Sequence, residues 1–234
     1  MDARKLSNRL LTAAKYVKAG AVLADIGSDH AYLPAYLALN KQIKFGIAGE
    51  VVKGPFENAQ HEIKKEGLVG KVEARLADGL AAIELTDQVD TITICGMGGP
   101  LIASILEKGK AKLANHPRLI LQPNVGEKEV RKWLMQAGYA IVAEEILAED
   151  GHTYELIVAD YAPTEAHLDE QALMFGPLLM QTKNPVFISK WRQEILKQEE
   201  ILTHLEQAKV VPLAKKAQIL ATIKEIEGVL NGIS

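Results

Sequence analysis

The chain has 234 residues, of which 48% are hydrophobic and 24% charged, and its formal net charge is -3. This balance excludes a disordered tail protein and a uniformly basic nucleic-acid coat, although it is compatible with a local basic face. The single cysteine, Cys95, excludes an intrachain disulfide. Because no apolar run approaches about eighteen residues and the N-terminus is charged, we expect a cytoplasmic protein with no membrane association.

Strand and helix patterns alternate through the first two thirds of the chain. Short apolar runs, typical of buried strands, predict strands at 21–26, 43–48, 72–76, 89–95 and 119–121. Helical patterns lie between and after them, at 31–39, 54–65, 101–113 and 127–136, with a short helix beginning near Leu80. This alternation predicts a parallel sheet that is covered by helices on both faces.

Two strand patterns, 139–147 and 152–159, then follow each other without a helix. The Asp150-Gly151 pair between them is a hairpin signal, so the sheet is predicted to close with an antiparallel pair. After Tyr161 no further strand pattern occurs. We therefore expect one domain at 1–161 and a second domain at 162–234.

The second domain has the pattern of two helices packed as an antiparallel hairpin. Asn184-Pro185 predicts the start of the first helix, and Pro212 predicts the start of the second. Apolar residues recur at spacings of three and four in both segments, as in zipped helices. They include Ile188, Trp191, Ile195, Leu202 and Leu205, then Ile219, Ile223, Ile226, Leu230 and Ile233.

The first predicted strand ends in Asp25-Ile26-Gly27-Ser28-Asp29. Ligands of doubly wound sheets bind outside the carboxyl ends of the strands, and Gly27 allows a ligand to approach closely. The dinucleotide fingerprint is absent, because it requires three glycines. Asp25 and Asp29 would repel phosphates but suit an ammonium or sulfonium group, and S-adenosylmethionine carries both. A buried strand end with a helix cap at Ser28 or Asp29 remains the alternative.

Later strands end in residues that suit the same ligand. Glu50 can accept hydrogen bonds from ribose hydroxyls, and Asp78 can bind the adenine amine, cap the next helix, or do both. Gly96-Met97-Gly98-Gly99 allows close backbone approach, and Gln122-Pro123-Asn124 follows the fifth strand. Polar or glycine-rich ends on five successive strands predict one binding site.

Four segments together resemble the bacterial TrmK family of class I S-adenosylmethionine methyltransferases. They are LADIGSDHAYLP at 23–34, AGEV at 48–51, CGMGG at 95–99 and LILQPN at 119–124. The resemblance covers nearly the whole chain. It implies an α/β fold with a seven-stranded, Rossmann-like sheet and a C-terminal helical hairpin similar to a coiled coil. It also implies S-adenosylmethionine as cofactor, tRNA as partner, and methylation of N1 of adenosine 22.

The expected cofactor site consists of the strand ends and their flanking residues. Its candidates are Asp25, Gly27, Ser28, Asp29, His30, Glu50, Val51, Asn58, Asp78, Gly79, Gly96, Met97, Gly98 and Gln122. The candidates for catalysis are Asp29, Tyr32, Met97 and Asn124. Because adenine N1 already carries a lone pair, no general base is required, and His30 is interpreted as a hydrogen-bonding loop residue. Tyr32 either stacks on a flipped adenine or packs its helix against the sheet.

Charge and motif patterns bear on the remaining classes of function. Segment 1–20 has five basic residues against one acidic residue, and segment 101–140 has seven against three. These residues are candidate phosphate contacts, although solvated helix faces show the same pattern. The histidines lack metal-ligand spacing, so no metal is expected. A methyltransferase of another RNA base or of a small molecule, and a nonenzymatic interaction module, remain alternatives.

Overall fold

A seven-stranded sheet forms the centre of the computed structural model, which describes residues 2–207 and 212–232. Its strands are β1 Ala21–Ile26, β2 Ile43–Glu50, β3 Val72–Leu76, β4 Thr91–Gly98, β5 Arg118–Val125, β6 Tyr139–Glu149 and β7 His152–Tyr161. The helices around it are α1 Asn8–Tyr16, α2 Tyr32–Leu39, α3 Lys53–Lys65, α4 Gly99–Lys108, α5 Glu127–Gln136 and α6 Glu170–Phe175.

The strand order is β3-β2-β1-β4-β5-β7-β6, and β7 runs antiparallel to both of its neighbours, β5 and β6. The other five strands are parallel. The order reverses between β1 and β4, which is where ligands bind in doubly wound sheets. The predicted fold class and the antiparallel closing pair are therefore confirmed.

Helices cover both faces of the sheet, as the continuous apolar strands predict. Neighbouring residues of one strand belong to different core clusters: Leu23 packs in one and Ala24 in the other. Ile120 likewise lies in the first cluster, between Leu119 and Leu121 in the second. A strand that is buried on both faces cannot show the apolar and polar alternation of a half-exposed strand.

Helix α1 is not among the helices that the sequence patterns predict, and hydrogen bonds hold it on the sheet. The Glu149 carboxylate accepts hydrogen bonds from the backbone N–H groups of Asn8 and Arg9, at 2.6 and 3.0 Å. A negative charge at this end of a helix is favourable, because the helix N-terminus carries partial positive charge. At the other end of α1, the Tyr16 hydroxyl donates to Glu145 at 2.7 Å. These contacts fix Arg9 beside the carboxyl ends of the strands.

The predicted helix at 101–113 is wrong in its length. α4 ends at Lys108, and a 3-10 helix, Lys110–Leu113, follows it. The break falls at Gly109, whose backbone lies so close to Leu80 that an added Cβ would overlap that side chain. The short helix predicted near Leu80 is also a 3-10 helix, Gly79–Ala82.

Contacts divide the chain into two compact units, Met1–Pro177 and Leu178–Ser234. Residues 162–177, which lie beyond the predicted boundary at Tyr161, pack in the first unit. Arg131 of α5 is fully buried there, and its guanidinium donates to Glu144 at 2.8 Å, to Glu155 at 2.5 Å and to the carbonyl of Leu173 at 3.3 Å. The segment is thus attached to the sheet through a buried charge network.

The second unit contains α7 Leu179–Thr182, α8 Pro185–Glu206 and α9 Leu213–Asn231. Asn184 caps α8 by accepting the N–H of Phe187 at 2.9 Å, as the Asn-Pro pair predicts. Lys216, near the start of α9, pairs with Glu206 at the end of α8. The two helices therefore run antiparallel. The predicted position Ile233 lies outside the described residues. No helix in the described part of the chain could span a bilayer.

Candidate active site

Two adjoining cavities open at the carboxyl ends of the parallel strands. They measure about 440 and 360 Å³, and both are lined by Gly27 and Met97. Volumes of this order are usual for small-molecule sites. The two shared residues place the cavities side by side at this edge of the sheet.

The larger, apolar cavity lies beside β1, β2 and the 3-10 helix after β3. Its lining includes Ile26, Gly49, Val51, Ala77, Asp78, Gly79, Leu80, Leu101, Ile105 and Lys108. Asp78 occupies the N-cap position of that 3-10 helix, but its carboxylate makes no capping hydrogen bond to the described backbone. The capping alternative for Asp78 is therefore not realised, and its exposed carboxylate is available to a ligand.

The smaller, acidic cavity contains three carboxylates and one guanidinium. Its lining residues are Arg9, Leu10, Asp25, Gly27, Ser28, Asp29, Leu33, Glu50, Pro55, Cys95, Gly96 and Met97. Burial raises the pKa of the Cys95 thiol to about 12, so this sulfur stays protonated. The excess of carboxylates suits a ligand with positive groups.

Asp25 is buried at the end of β1 and is fixed by two hydroxyl groups. Ser28 Oγ donates to it at 2.5 Å, and Thr93 Oγ1 of the neighbouring β4 donates at 2.6 Å. Burial raises the pKa of Asp25, while these hydrogen bonds and the charge of Arg9 oppose the rise. Ser28 thus supports Asp25, and the alternative in which Ser28 caps α2 is not observed.

Glu50 holds the turn that follows β1. Its carboxylate accepts a hydrogen bond from the backbone N–H of Asp29, and burial raises its pKa. Asp29, His30 and Ala31 all have left-handed backbones, with φ of 39°, 64° and 58°. Such conformations cost about 1–2 kcal/mol per residue, so the turn needs this support.

In this strained turn the Asp29 side chain points toward solvent, and 72% of it is exposed. His30 lies 3.4 Å from the Asp29 carboxylate through Nε2. The His30 ring also stacks on Tyr32, with centroids 5.1 Å apart and planes 6° from parallel. Tyr32 is half-buried and packs against the core, so its helix-packing role is realised.

The predicted residues at the ends of β4 and β5 form a hydrogen-bonded network. Gln122 Oε1 accepts from Arg9 Nη1 at 2.5 Å and from the backbone N–H of Gly96 at 3.0 Å. Asn124 Nδ2 donates to the carbonyl of Gly96 at 2.9 Å, and Gln122 Nε2 donates to Asn124 Oδ1 at 3.3 Å. This network fixes the backbone of Gly96, which lines the acidic cavity.

Some predicted residues lie outside the cavity walls. Asn58 is exposed on α3 and lines neither cavity, whereas Pro55 of the same helix does. His30, Tyr32, Gly98, Gln122 and Asn124 lie next to lining residues without lining a cavity themselves. Asn58 lies about one helical turn beyond Pro55 on α3.

The structure also revises the candidate phosphate contacts. Arg131 is fully buried and cannot reach a phosphate. Arg118 forms a salt bridge with Asp160 at 2.6 Å, and Lys128 forms one with Glu170 at 2.7 Å, so both charges already have an acidic partner. Arg9 points into the acidic cavity. In the part of the chain that the structure describes, no group of His, Cys, Asp and Glu side chains could hold a metal ion.

This strand order, with acids at the ends of β1 and β2, defines the Rossmann-like fold of class I methyltransferases. Residues 23–228 match the TrmK family, tRNA (adenine(22)-N(1))-methyltransferase. The tRNA (adenine(22)-N(1))-methyltransferase of Bacillus subtilis (strain 168) is 46% identical over 212 residues, 89% of each chain. The chain belongs to the TrmK family, and the resemblance inferred from the motifs is confirmed.

Two solved structures are similar over almost the whole chain. The Streptococcus pneumoniae protein Sp1610 in complex with S-adenosyl-L-methionine is 46% identical, with a TM-score of 0.88, and covers 97% of this chain and 100% of its own. The B. subtilis M1A22 tRNA methyltransferase TrmK is 42% identical, with a TM-score of 0.90, and covers 97% and 99%.

Proposed function

We propose that this chain transfers a methyl group from S-adenosylmethionine to N1 of adenosine 22 in tRNA. The observation that carries the proposal is the pair of adjoining cavities that share Gly27 and Met97 in their linings. One is largely apolar and suits an adenosine, and the other is acidic and suits the charged amino-acid end. Membership of the TrmK family supports the reaction and the target nucleotide.

The cofactor's adenosine half belongs to the apolar cavity. We propose that Glu50, which lines the adjoining acidic cavity, accepts hydrogen bonds from the ribose hydroxyls, and that Asp78, which lines the apolar cavity, accepts one from the adenine amine. Asp25 and Asp29 attract the ammonium and sulfonium groups in the acidic cavity. The residues present therefore fit this cofactor, which supplies a sulfonium-activated methyl group when it is bound.

The protein's own part in the reaction is positioning and charge stabilisation. Adenine N1 has a lone pair in the plane of the ring, so no side chain has to remove a proton from it. The site must hold N1 in line with the methyl group at about 3–3.5 Å and keep water out. The methylated ring is cationic, and the exposed Asp29 carboxylate stabilises the charge as it develops. Asn124 is hydrogen-bonded to Gly96, which lines the acidic cavity, and to Gln122.

The C-terminal helices and the exposed basic residues of the first unit are proposed to bind the tRNA. Phosphate contacts from lysines supply sequence-independent affinity, and a folded RNA is recognised largely by its shape. We also propose that the enzyme acts in the cytoplasm, where tRNA is made.

The function is tested with unmodified tRNA transcripts and labelled S-adenosylmethionine, followed by mapping of the methylated base. We expect one label per tRNA, at N1 of adenosine 22. A matched transcript with guanosine at position 22 should take up no label. Equal labelling of the two transcripts would overturn the proposed target, and labelling of neither would overturn the proposed reaction.

A further inference from the structure

Arg9 has a place in the site that its sequence context does not suggest. The basic pattern of segment 1–20 makes Arg9 a candidate phosphate contact. In the structure, however, Arg9 is the basic residue among those that line the acidic cavity. Burial raises the pKa of the Asp25 carboxyl, and the guanidinium is close enough for its charge to oppose that rise. Its charge therefore acts inside the cavity and not on the outer surface.

The arginine is held in place from three sides. Its backbone N–H donates to Glu149 at 3.0 Å, and its guanidinium lies over the Tyr154 ring, 5.4 Å from the centroid. Nη1 donates to Gln122 Oε1 at 2.5 Å. A guanidinium has five N–H donors in a planar fork, and the described residues engage it through Nη1. The rest of the fork is available to a ligand, and little side-chain entropy remains to be lost on binding.

The chemistry of the proposed cofactor requires such a group. Its amino-acid end carries an ammonium, which the three carboxylates of the cavity attract, and an α-carboxylate, which they repel. A planar fork is the best partner for a carboxylate, because it donates two parallel, charge-assisted hydrogen bonds. We propose that Arg9 binds the α-carboxylate of S-adenosylmethionine. This inference rests on the proposed function.

The test compares two ligands by isothermal titration: S-adenosylmethionine and decarboxylated S-adenosylmethionine, which lacks only the α-carboxylate. The wild type is expected to prefer S-adenosylmethionine. Arg9→Gln should weaken binding of S-adenosylmethionine by roughly 10- to 100-fold, the usual loss for a hydrogen bond to a charged group. Binding of the decarboxylated ligand should change little, so the preference disappears.

A purely structural role for Arg9, through Gln122, would give a different result. The Arg9→Gln variant would then bind both ligands more weakly, by the same factor, and this outcome would overturn the inference, as would unchanged affinity for both.

Lys44→Gln is the charge-matched control, since Lys44 is exposed near the start of β2 and lines neither cavity. If the Arg9→Gln variant does not fold, Arg9→Lys replaces it, because lysine keeps the charge but not the planar fork. Arg9→Lys should weaken binding of S-adenosylmethionine less than Arg9→Gln would, and again leave binding of the decarboxylated ligand nearly unchanged. Failure of the wild type to bind S-adenosylmethionine would overturn the proposed function itself.

Discussion

Gly27 is the residue at which the two cavities meet, and its backbone is left-handed, with φ of 70°. An added Cβ would overlap the Cε atom of Met97, so the Met97 side chain, which lines both cavities, would have to move. Gly27→Ala should therefore weaken binding of S-adenosylmethionine by tenfold or more (~1.4 kcal/mol or above). Gly20→Ala is the matched control, because Gly20 has φ of 79° and nothing within 4 Å of its Cβ position. Both variants strain the backbone, so equal affinity in the two, measured by titration, would contradict this placement of the cofactor.

Asp25 and Glu50 make cofactor binding depend on pH. Burial raises the pKa of each above the ordinary value of about 4. In the free protein, the contribution of these two carboxyls to the free energy of unfolding is greatest at low pH, where both are protonated. It is lost as the pH rises through the raised pKa values. A cationic ligand requires the ionised carboxylates, so affinity for S-adenosylmethionine should increase with pH above about 4, until both are ionised. Titrations at several pH values test this, and Glu50→Gln should flatten the profile. A wild-type affinity independent of pH would contradict it.

His30 and Asp29 distinguish positioning from proton transfer. Since adenine N1 needs no base, His30→Ala should lower kcat only modestly, by about tenfold or less, through a looser turn. Asp29→Ala should lower kcat more, because it removes a carboxylate next to the cationic product. The kcat of both variants is measured at saturating cofactor and tRNA, so that a slower chemical step is not confused with weaker binding. A loss of many orders of magnitude in His30→Ala would instead show that the target carries a proton that must be removed.

At the scale of elements, the turn from β4 into α4 packs directly against the turn from β5 into α5. A Cβ on Gly99 would overlap the backbone carbonyl of Gly126, which cannot move as a side chain could. Gly99→Ala should therefore lower the free energy of unfolding by about 1–3 kcal/mol. Gly98→Ala is the control, because its Cβ would meet only Pro100 Cδ at 4.0 Å. Urea unfolding measures both, and equal stability of the two variants would show that these turns are not in rigid contact.

The sequence predicts much of the fold, because strand ends are marked locally. Asp25, Glu50 and Asp78 each directly follow or end an apolar run, and parallel strands bring such ends to one edge. Arg9 could not be assigned in this way: its contacts with Gln122 and Glu149 join residues more than 100 positions apart. The helix break at Gly109 is not predictable from the local sequence for a similar reason, since it depends on the distant Leu80.

At the scale of the whole molecule, the two units separate cofactor binding from the helices proposed to hold the tRNA. Every lining residue of both cavities lies before Pro177. A fragment 1–177 should bind S-adenosylmethionine like the full chain and methylate tRNA much more slowly. Titration and a labelling assay test this, and full activity of the fragment on tRNA would show that the C-terminal helices are dispensable.

A fragment 1–161 should be less stable than 1–177, because it lacks the Leu173 carbonyl that Arg131 binds.

The buried network of Arg131, Glu144 and Glu155 also constrains how the family can diverge. Loss of one partner from a buried ion pair leaves an uncompensated charge and costs roughly 3–5 kcal/mol, comparable to the whole stability of many domains. Replacement of all three by apolar residues of similar volume can be neutral. Single changes at these positions should therefore be eliminated by selection. Homologues should either keep the whole trio or have exchanged it jointly, so the three columns of an alignment should covary.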